Sequence, residues 1–232
     1  MTHTPQTLLF DADDTLWENN IYFEQAITAF ISYLDHRVHS PEEVREHLNL
    51  CELTTIAEHG YGLGSFQRSL INCFEQLTNS AVTAEKHARI VAFTEAIAKQ
   101  EIELLPGVAA TLAKLSQRHR CLLVTKGNLE EQTGKLERSG LRPYFTAVEV
   151  LVEKNTAAYR SLVERHVCEA PTTWMIGNSP RSDLNPALAA GLNAVFIAHD
   201  FTWVLEHEVV DAPPVGRRLL ELARFGELER HF

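Results

Sequence analysis

Apolar positions along this chain follow two different periods. The run TLLF at 7–10 is apolar after its first residue and stops abruptly at Asp11, as a strand buried on both faces does when its C-terminal end opens onto a site. From Glu18 to about Gln100 the spacing is helical. Ile21, Phe23, Ile27, Phe30, Ile31 and Leu34 recur at three- and four-residue intervals. Ser40, Pro41 and the acids after them read as a capped helix start. Gly60, Gly62 and Gly64 interrupt the pattern, and 66–77 and 83–99 then predict two more helices. These stretches together predict a unit of about four helices.

Pro106 and Gly107 mark a change of grammar. Beyond them apolar runs at 121–125, 147–150, 173–177 and 194–198 alternate with helical stretches at 129–139, 157–166 and 184–190. Strand and helix in strict alternation predict an α/β fold, a doubly wound parallel sheet with ligand-bearing residues outside the strand C-termini. The expected organisation is a core made of 1–16 and 104–232, with 17–103 inserted as an α-helical cap.

Composition narrows the class without naming a chemistry. Hydrophobic residues make up 45% of the chain, ordinary for a domain with a packed core, and the formal charge of −10 argues against a nucleic-acid polymer as partner. Cys51, Cys73, Cys121 and Cys168 form no Cys-x-x-Cys pair, so reduced thiols are expected rather than a zinc ribbon. Residues 1–7 lack the basic and apolar regions of a secretory leader, and no apolar run approaches the ~18 residues of a membrane span. A cytoplasmic protein with no membrane partner is the expectation.

Candidate chemistry collects at four strand ends. In DADDT, Asp11 and Asp13 lie two apart with Thr15 two further on; the acids either cap the next helix or set one carboxylate on a metal and a second beside a leaving group. Thr125 closes an apolar strand, and Lys126, Gly127 and Asn128 lead into a helix, a turn whose N–H groups suit an anion, although strands ending in Thr are common without one. Lys154 precedes a helix whose Tyr159, Leu162 and Val163 face inward, a place where a lysine is often mere solvated surface. The last strand end carries Gly177, Asn178 and Asp183.

Taken in order, these motifs resemble those of the haloacid dehalogenase-like (HAD) phosphatases, whose first motif is Asp-x-Asp-x-Thr, whose second is an apolar strand ending in Thr or Ser, and which carry a helical cap after the first motif. The resemblance implies that Asp11 is the nucleophile and Asp13 the general acid and base. It implies that Thr125, Lys126 and Lys154 bind the phosphoryl group, and that Mg2+ is held by Asp11, Asp13, Asn178 and Asp183. Two departures stand out: Asn155 occupies the place of a proline, and Asn178 that of an acid. Halide leaves without a proton whereas an alkoxide benefits from one, so Asp13 favours phosphate esters. Asp14 is read as an acid that helps the following helix start. Tyr61, Phe66 and Arg68, beside the glycine-rich break, are expected either to contact the leaving group or to pack between cap helices. The expected activity is a Mg2+-dependent phosphatase acting on a small phosphorylated metabolite such as a nucleotide or sugar phosphate, as a monomer or homodimer. The alternatives are a haloacid dehalogenase or phosphonate-cleaving relative, and a non-catalytic phosphate-ligand binding protein.

Overall fold

The computed structural model describes residues 4–34 and 38–232. Residues 1–3 of the polar lead and 35–37 at the end of the first helical stretch lie outside that description. The chain divides into two compact units, Met1–Asn20 with Ile102–Phe232, and Ile21–Glu101.

The first unit is built on a six-stranded parallel sheet. Its strands are β1 (Thr7–Phe10), β2 (Arg120–Lys126), β3 (Ala147–Leu151), β4 (Thr173–Gly177), β5 (Asn193–Ile197) and β6 (Leu219–Leu222), in the order β3-β2-β1-β4-β5-β6. The chain leaves β1 in one direction as far as β3, then crosses to the other side of β1 for β4. The order therefore reverses between β1 and β4, and the crevice outside their C-terminal ends is where such sheets take ligands. All pairings are parallel, with Phe10 level with Leu123 of β2 and Ile176 of β4.

Alternation along the strands explains why the sequence shows unbroken apolar runs. Leu8 and Phe10 point to one face and pack with Leu123, Trp174 and Ile176. That face is closed by Val108, Leu112 and Leu115 of α5 (Val108–Leu115) and by Phe225, Leu228 and Phe232 near the chain end. Leu9, Leu122, Val124 and Met175 point to the other face, against Tyr159 and Leu162 of α7 (Thr156–Arg165). A strand covered on both sides has no polar side to show. The sequence reading missed α5, although Val108, Leu112 and Leu115 hold its buried stripe at helical spacing, and it missed β6. The helix expected at 184–190 is preceded by a π-helical turn, Pro180–Leu184, before α8 (Asn185–Ala189).

The second unit consists of α2 (Pro41–His59), α3 (Leu63–Thr78), α4 (Ala84–Ala98) and most of α1 (Asn20–Tyr33). Ser40 caps α2 in a reciprocal capping box with Glu43. Gly60 has φ of 76°, which lets the chain leave α2 where a side chain would be strained. The unit's core is Ile27, Phe30, Val44, Leu48, Phe66, Leu70, Phe74 and Ile90.

Candidate active site

Asp11 follows β1 directly, and its N–H still donates to the Ile176 carbonyl at 2.9 Å, so the strand pairing carries its side chain into the crevice at the switch point. The chain then turns back on itself. Asp14 takes a left-handed conformation with φ of 59°, its N–H donates to the Trp17 carbonyl at 2.8 Å, and Thr15 comes to lie over Asp11. The Thr15 hydroxyl stands 2.9 Å from Asp11 Oδ2 and 3.2 Å from Asn178 Oδ1, both buried. Asn178 is held in that orientation by its own Nδ2, which donates to Thr202 Oγ1 at 2.9 Å.

A hydroxyl has one proton, so Thr15 cannot donate to both oxygens at once. Asp11 Oδ2 and Asn178 Oδ1 are hard oxygen donors on either side of it, the donor type that Mg2+ takes.

Lys154 bridges Asp11 and Asp183 and is itself almost wholly buried, 3% exposed. Its Nζ donates to Asp11 Oδ1 and, at 2.8 Å, to Asp183 Oδ1. Burial by itself would lower the lysine pKa, but the Asp11 and Asp183 charges hold it well above the usual value. Asp183 is pushed up to about 7, chiefly by burial and then by the Asp11 charge, against the pull of Lys154 and the Ser179 N–H. Asn155 is the N-cap of α7, its Oδ1 accepting from the Ala158 N–H at 2.9 Å. An asparagine thus does at this helix start what a proline does by its fixed φ. Gly177 has a reason of its own: a Cβ there would fall 2.2 Å from Asp183 Oδ2 and 2.4 Å from its Cγ, so only glycine lets that carboxylate pack on the end of β4.

Asp13 points away from this cluster to a different set of donors. Trp17 Nε1 donates to its Oδ1 at 2.7 Å, Gln132 Nε2 to its Oδ2 at 2.9 Å, and Lys135 Nζ to both oxygens at 2.9 and 3.0 Å. Burial works to raise its pKa, but the Lys135 charge and the hydrogen bonds from Lys135, Gln132 and Trp17 outweigh it and hold the carboxyl below its ordinary value. Gln132 and Lys135, both on α6 (Leu129–Ser139), were missed by the sequence reading, as was Trp17. Three residues apart, the two α6 side chains share one helix face, but nothing near them in the sequence points to an acid more than a hundred positions away.

Asp14 does serve the helix start, from further back than a first-turn acid. Its Oδ1 accepts the N–H groups of Asn19 and Asn20, at 2.9 and 3.0 Å. Burial, against those donors, lifts it to about 7. With Glu18 and His199 it forms a group whose oxygen and nitrogen atoms lie within 4.8 Å of one another. His199 Nδ1 accepts the Phe201 N–H at 3.2 Å, and its Nε2 lies 3.2 Å from Glu18 Oε2, a buried oxygen without a hydrogen-bond partner.

The Lys126 Nζ meets Glu206 at 2.5 Å, Ser182 Oγ at 2.8 Å and Glu153 at 3.4 Å. Glu206, unread in the sequence, also accepts from Ser179 Oγ at 2.5 Å and is held below its usual pKa because Lys126, Ser179 and Ser182 outweigh its burial. Phe66 is buried in the core of the helical unit, edge-to-face with Phe23 at 5.0 Å, which matches the packing alternative. Tyr61 is half-buried and Arg68 exposed in that same unit. Thr125 itself is buried, its hydroxyl 3.5 Å from Gln132 Oε1.

The family model of haloacid dehalogenase-like hydrolases matches residues 5–191. A haloacid dehalogenase-like family hydrolase from Xanthomonas campestris is similar over 98% of this chain and 94% of its own, at 30% identity and a TM-score of 0.82. A predicted phosphoglycolate phosphatase from Haemophilus somnus shares the fold at 15% identity and a TM-score of 0.65, covering 100% of this chain and 99% of its own. So does an L-2-haloacid dehalogenase from Xanthobacter autotrophicus, at 14% identity and a TM-score of 0.64, covering 98% of each chain. No protein of curated function matches significantly. No helix among the described residues is long and apolar enough to cross a membrane.

Proposed function

The chain belongs to the haloacid dehalogenase-like hydrolases, and on that premise we propose that it is a Mg2+-dependent phosphatase that hydrolyses a small phosphorylated metabolite through an aspartyl-phosphate. The observation that carries this reading is the second carboxylate: Asp13, two residues after the nucleophile and gripped by three donor side chains. A departing halide needs no proton, whereas an alkoxide does.

In this reading Asp11 attacks phosphorus. The P–O(ester) electron pair leaves with the alkoxide; for Asp13 to give it a proton, the carboxyl must first exchange one of its donor contacts for a proton taken from solvent, and as a carboxylate it then accepts a proton from the water that attacks the aspartyl-phosphate and frees Asp11. Splitting the displacement in this way replaces one slow step by two easier ones. Lys154, already beside Asp11, pairs with the phosphoryl oxygens as a point charge, and Thr125 adds a donor. Asp183 keeps Lys154 charged and in place. Mg2+, held by Asp11, Asn178, the Asp13 backbone carbonyl and, through rearrangement of its contacts, Asp183, would supply the charge that offsets repulsion between an anionic substrate and a carboxylate nucleophile.

The test is phosphate release across a panel of nucleotide, sugar and polyol phosphates with and without Mg2+, with 2-haloacids assayed in parallel for halide. Phosphate release from at least one ester, dependent on Mg2+ and abolished in Asp11→Asn, is the expected result. Halide release with no phosphate release from any ester would overturn it.

A further inference from the structure

We propose that Cys51 and Cys73 form a redox site in the helical unit, a dithiol that a hydroperoxide converts reversibly into a disulfide joining α2 to α3. The inference is independent of the phosphatase reading, since it concerns only residues of the unit Ile21–Glu101.

The pairing follows from how the two helices pack. Cys51 lies on α2 and Cys73 on α3, and both are buried in the unit's one core. Cys51 stands nine residues before Gly60 and Cys73 eleven after Gly62, so in a helical hairpin turning at those glycines the two differ in height by only about 3 Å. Gln76, one turn beyond Cys73 and on the same face of α3, has its Oε1 3.9 Å from Cys51 Sγ and 2.8 Å from Nε2 of His47, which sits one turn before Cys51 on α2. Cys51 therefore faces the side of α3 that carries Cys73. The thiols meet there, with the Cys73 S–H donating to the Cys51 sulfur. Sulfurs turned toward each other from adjacent helices are what a disulfide requires.

The two thiols are not equivalent. Their hydrogen bond lowers the Cys51 pKa against the opposing effect of burial, whereas the same bond, followed by burial, raises that of Cys73. The thiolate is the nucleophile in such chemistry. Cys51 is 5% exposed and Cys73 not at all, so the outer thiol is the one disposed to ionise and its partner stays protonated behind it. The Cys51 sulfur attacks one peroxide oxygen, the O–O bond breaks, and the departing hydroxide takes up the proton that Cys51 released, leaving as water. Cys51 is then a sulfenic acid. The Cys73 sulfur attacks the Cys51 sulfur, the S–O bond breaks, and a second water departs with the Cys73 proton. Two thiols lose two electrons in all, and hydrogen peroxide gains them.

The experiment treats the folded, reduced protein with hydrogen peroxide, blocks the remaining thiols with iodoacetamide in urea, and maps tryptic peptides without reduction. Cys51 falls in the peptide 46–68 and Cys73 in 69–86, so their disulfide is read as a linked pair. The expected result is loss of two of the four thiols, the linked pair as the main product, its disappearance with dithiothreitol, and an unchanged far-ultraviolet circular dichroism spectrum. Cys73→Ala, which removes the resolving thiol, should leave Cys51 as a sulfenic acid that dimedone traps; where that variant does not fold, the wild-type peptide map decides. Sulfinic or sulfonic acid at Cys51 with no linked pair would overturn the inference. So would a linked pair that forms only in urea, or two thiols still free after the half-buried Cys168 has been oxidised.

Discussion

Glu52 offers a sharp test of how the helical unit is held together. It lies on α2, is 6% exposed, and its Oε2 is buried with no hydrogen-bond partner. The guanidinium of Arg45 is engaged by Glu24 in a two-pronged pair at 2.8 Å on each prong. Burial, only partly countered by Arg45, pushes the Glu52 carboxyl from an ordinary 4.5 up to about 7. The folded state therefore holds a proton that the unfolded state releases near pH 4.5. Between those two values the native protein binds more protons, so stability falls as pH rises and levels off once the folded group has ionised. Each tenfold change in protonation equilibrium is about 1.4 kcal/mol, so the stability lost across this window is on the order of 3 kcal/mol. Glu52→Gln keeps the shape and removes the titration. The assay is urea unfolding of both proteins by far-ultraviolet circular dichroism at pH 5 and pH 8. The variant should match the wild type within about 1 kcal/mol at the lower pH and exceed it by about 2–3 kcal/mol at the higher. A difference between the two proteins that is the same at both pH values would refute the reasoning, because Glu52 would then be ionised in the fold at both.

The remaining predictions concern the site. Asp11→Asn should reduce phosphate release to background with the melting temperature unchanged; wild-type turnover by a folded Asp11→Asn protein would remove Asp11 from the role of nucleophile. Gly177→Ala sets a methyl 2.2 Å from the present position of Asp183 Oδ2. Displacement of that carboxylate should cost about 1–3 kcal/mol in thermal unfolding and most of the activity, and a variant with native stability and turnover would show that β4 can shift to admit it. Asn178→Asp adds a charge beside Asp11 and should tighten apparent Mg2+ affinity in titrations of activity and of direct binding; affinity unchanged in both would place position 178 outside the metal's coordination.

What could be read from one dimension were the features whose signal is local. β1, β2, β4 and β5 announce themselves because a strand buried on both faces must be apolar throughout, and the acids, Thr125, Lys154 and Asn178 stand at or just beyond strand ends, where a parallel sheet collects its ligands. β6 and α5 carry weak local signals. Leu219–Leu222 is a half-buried edge whose pattern is too short to stand out, and the buried stripe of Val108–Leu115 begins directly after a Pro-Gly turn. Lys126 is next to Thr125 in the chain, but its ammonium meets Glu206 and Ser182.

The sequence by itself determined the class of fold through its periodicity, and the resemblance of its motifs to a family singled out Asp11, Lys154, Asn178 and Asp183 as candidates. Only the tertiary structure decided what each charged group answers to. Asp13 meets Lys135 across 122 positions, Lys126 meets Glu206 across 80, and Asp183 meets Gly177 by sitting where a Cβ would be. Those partnerships set which carboxylate is held ionised and which is pushed towards its protonated form. They depend on distances of about 3 Å between segments that the sheet order, not the chain order, makes neighbours.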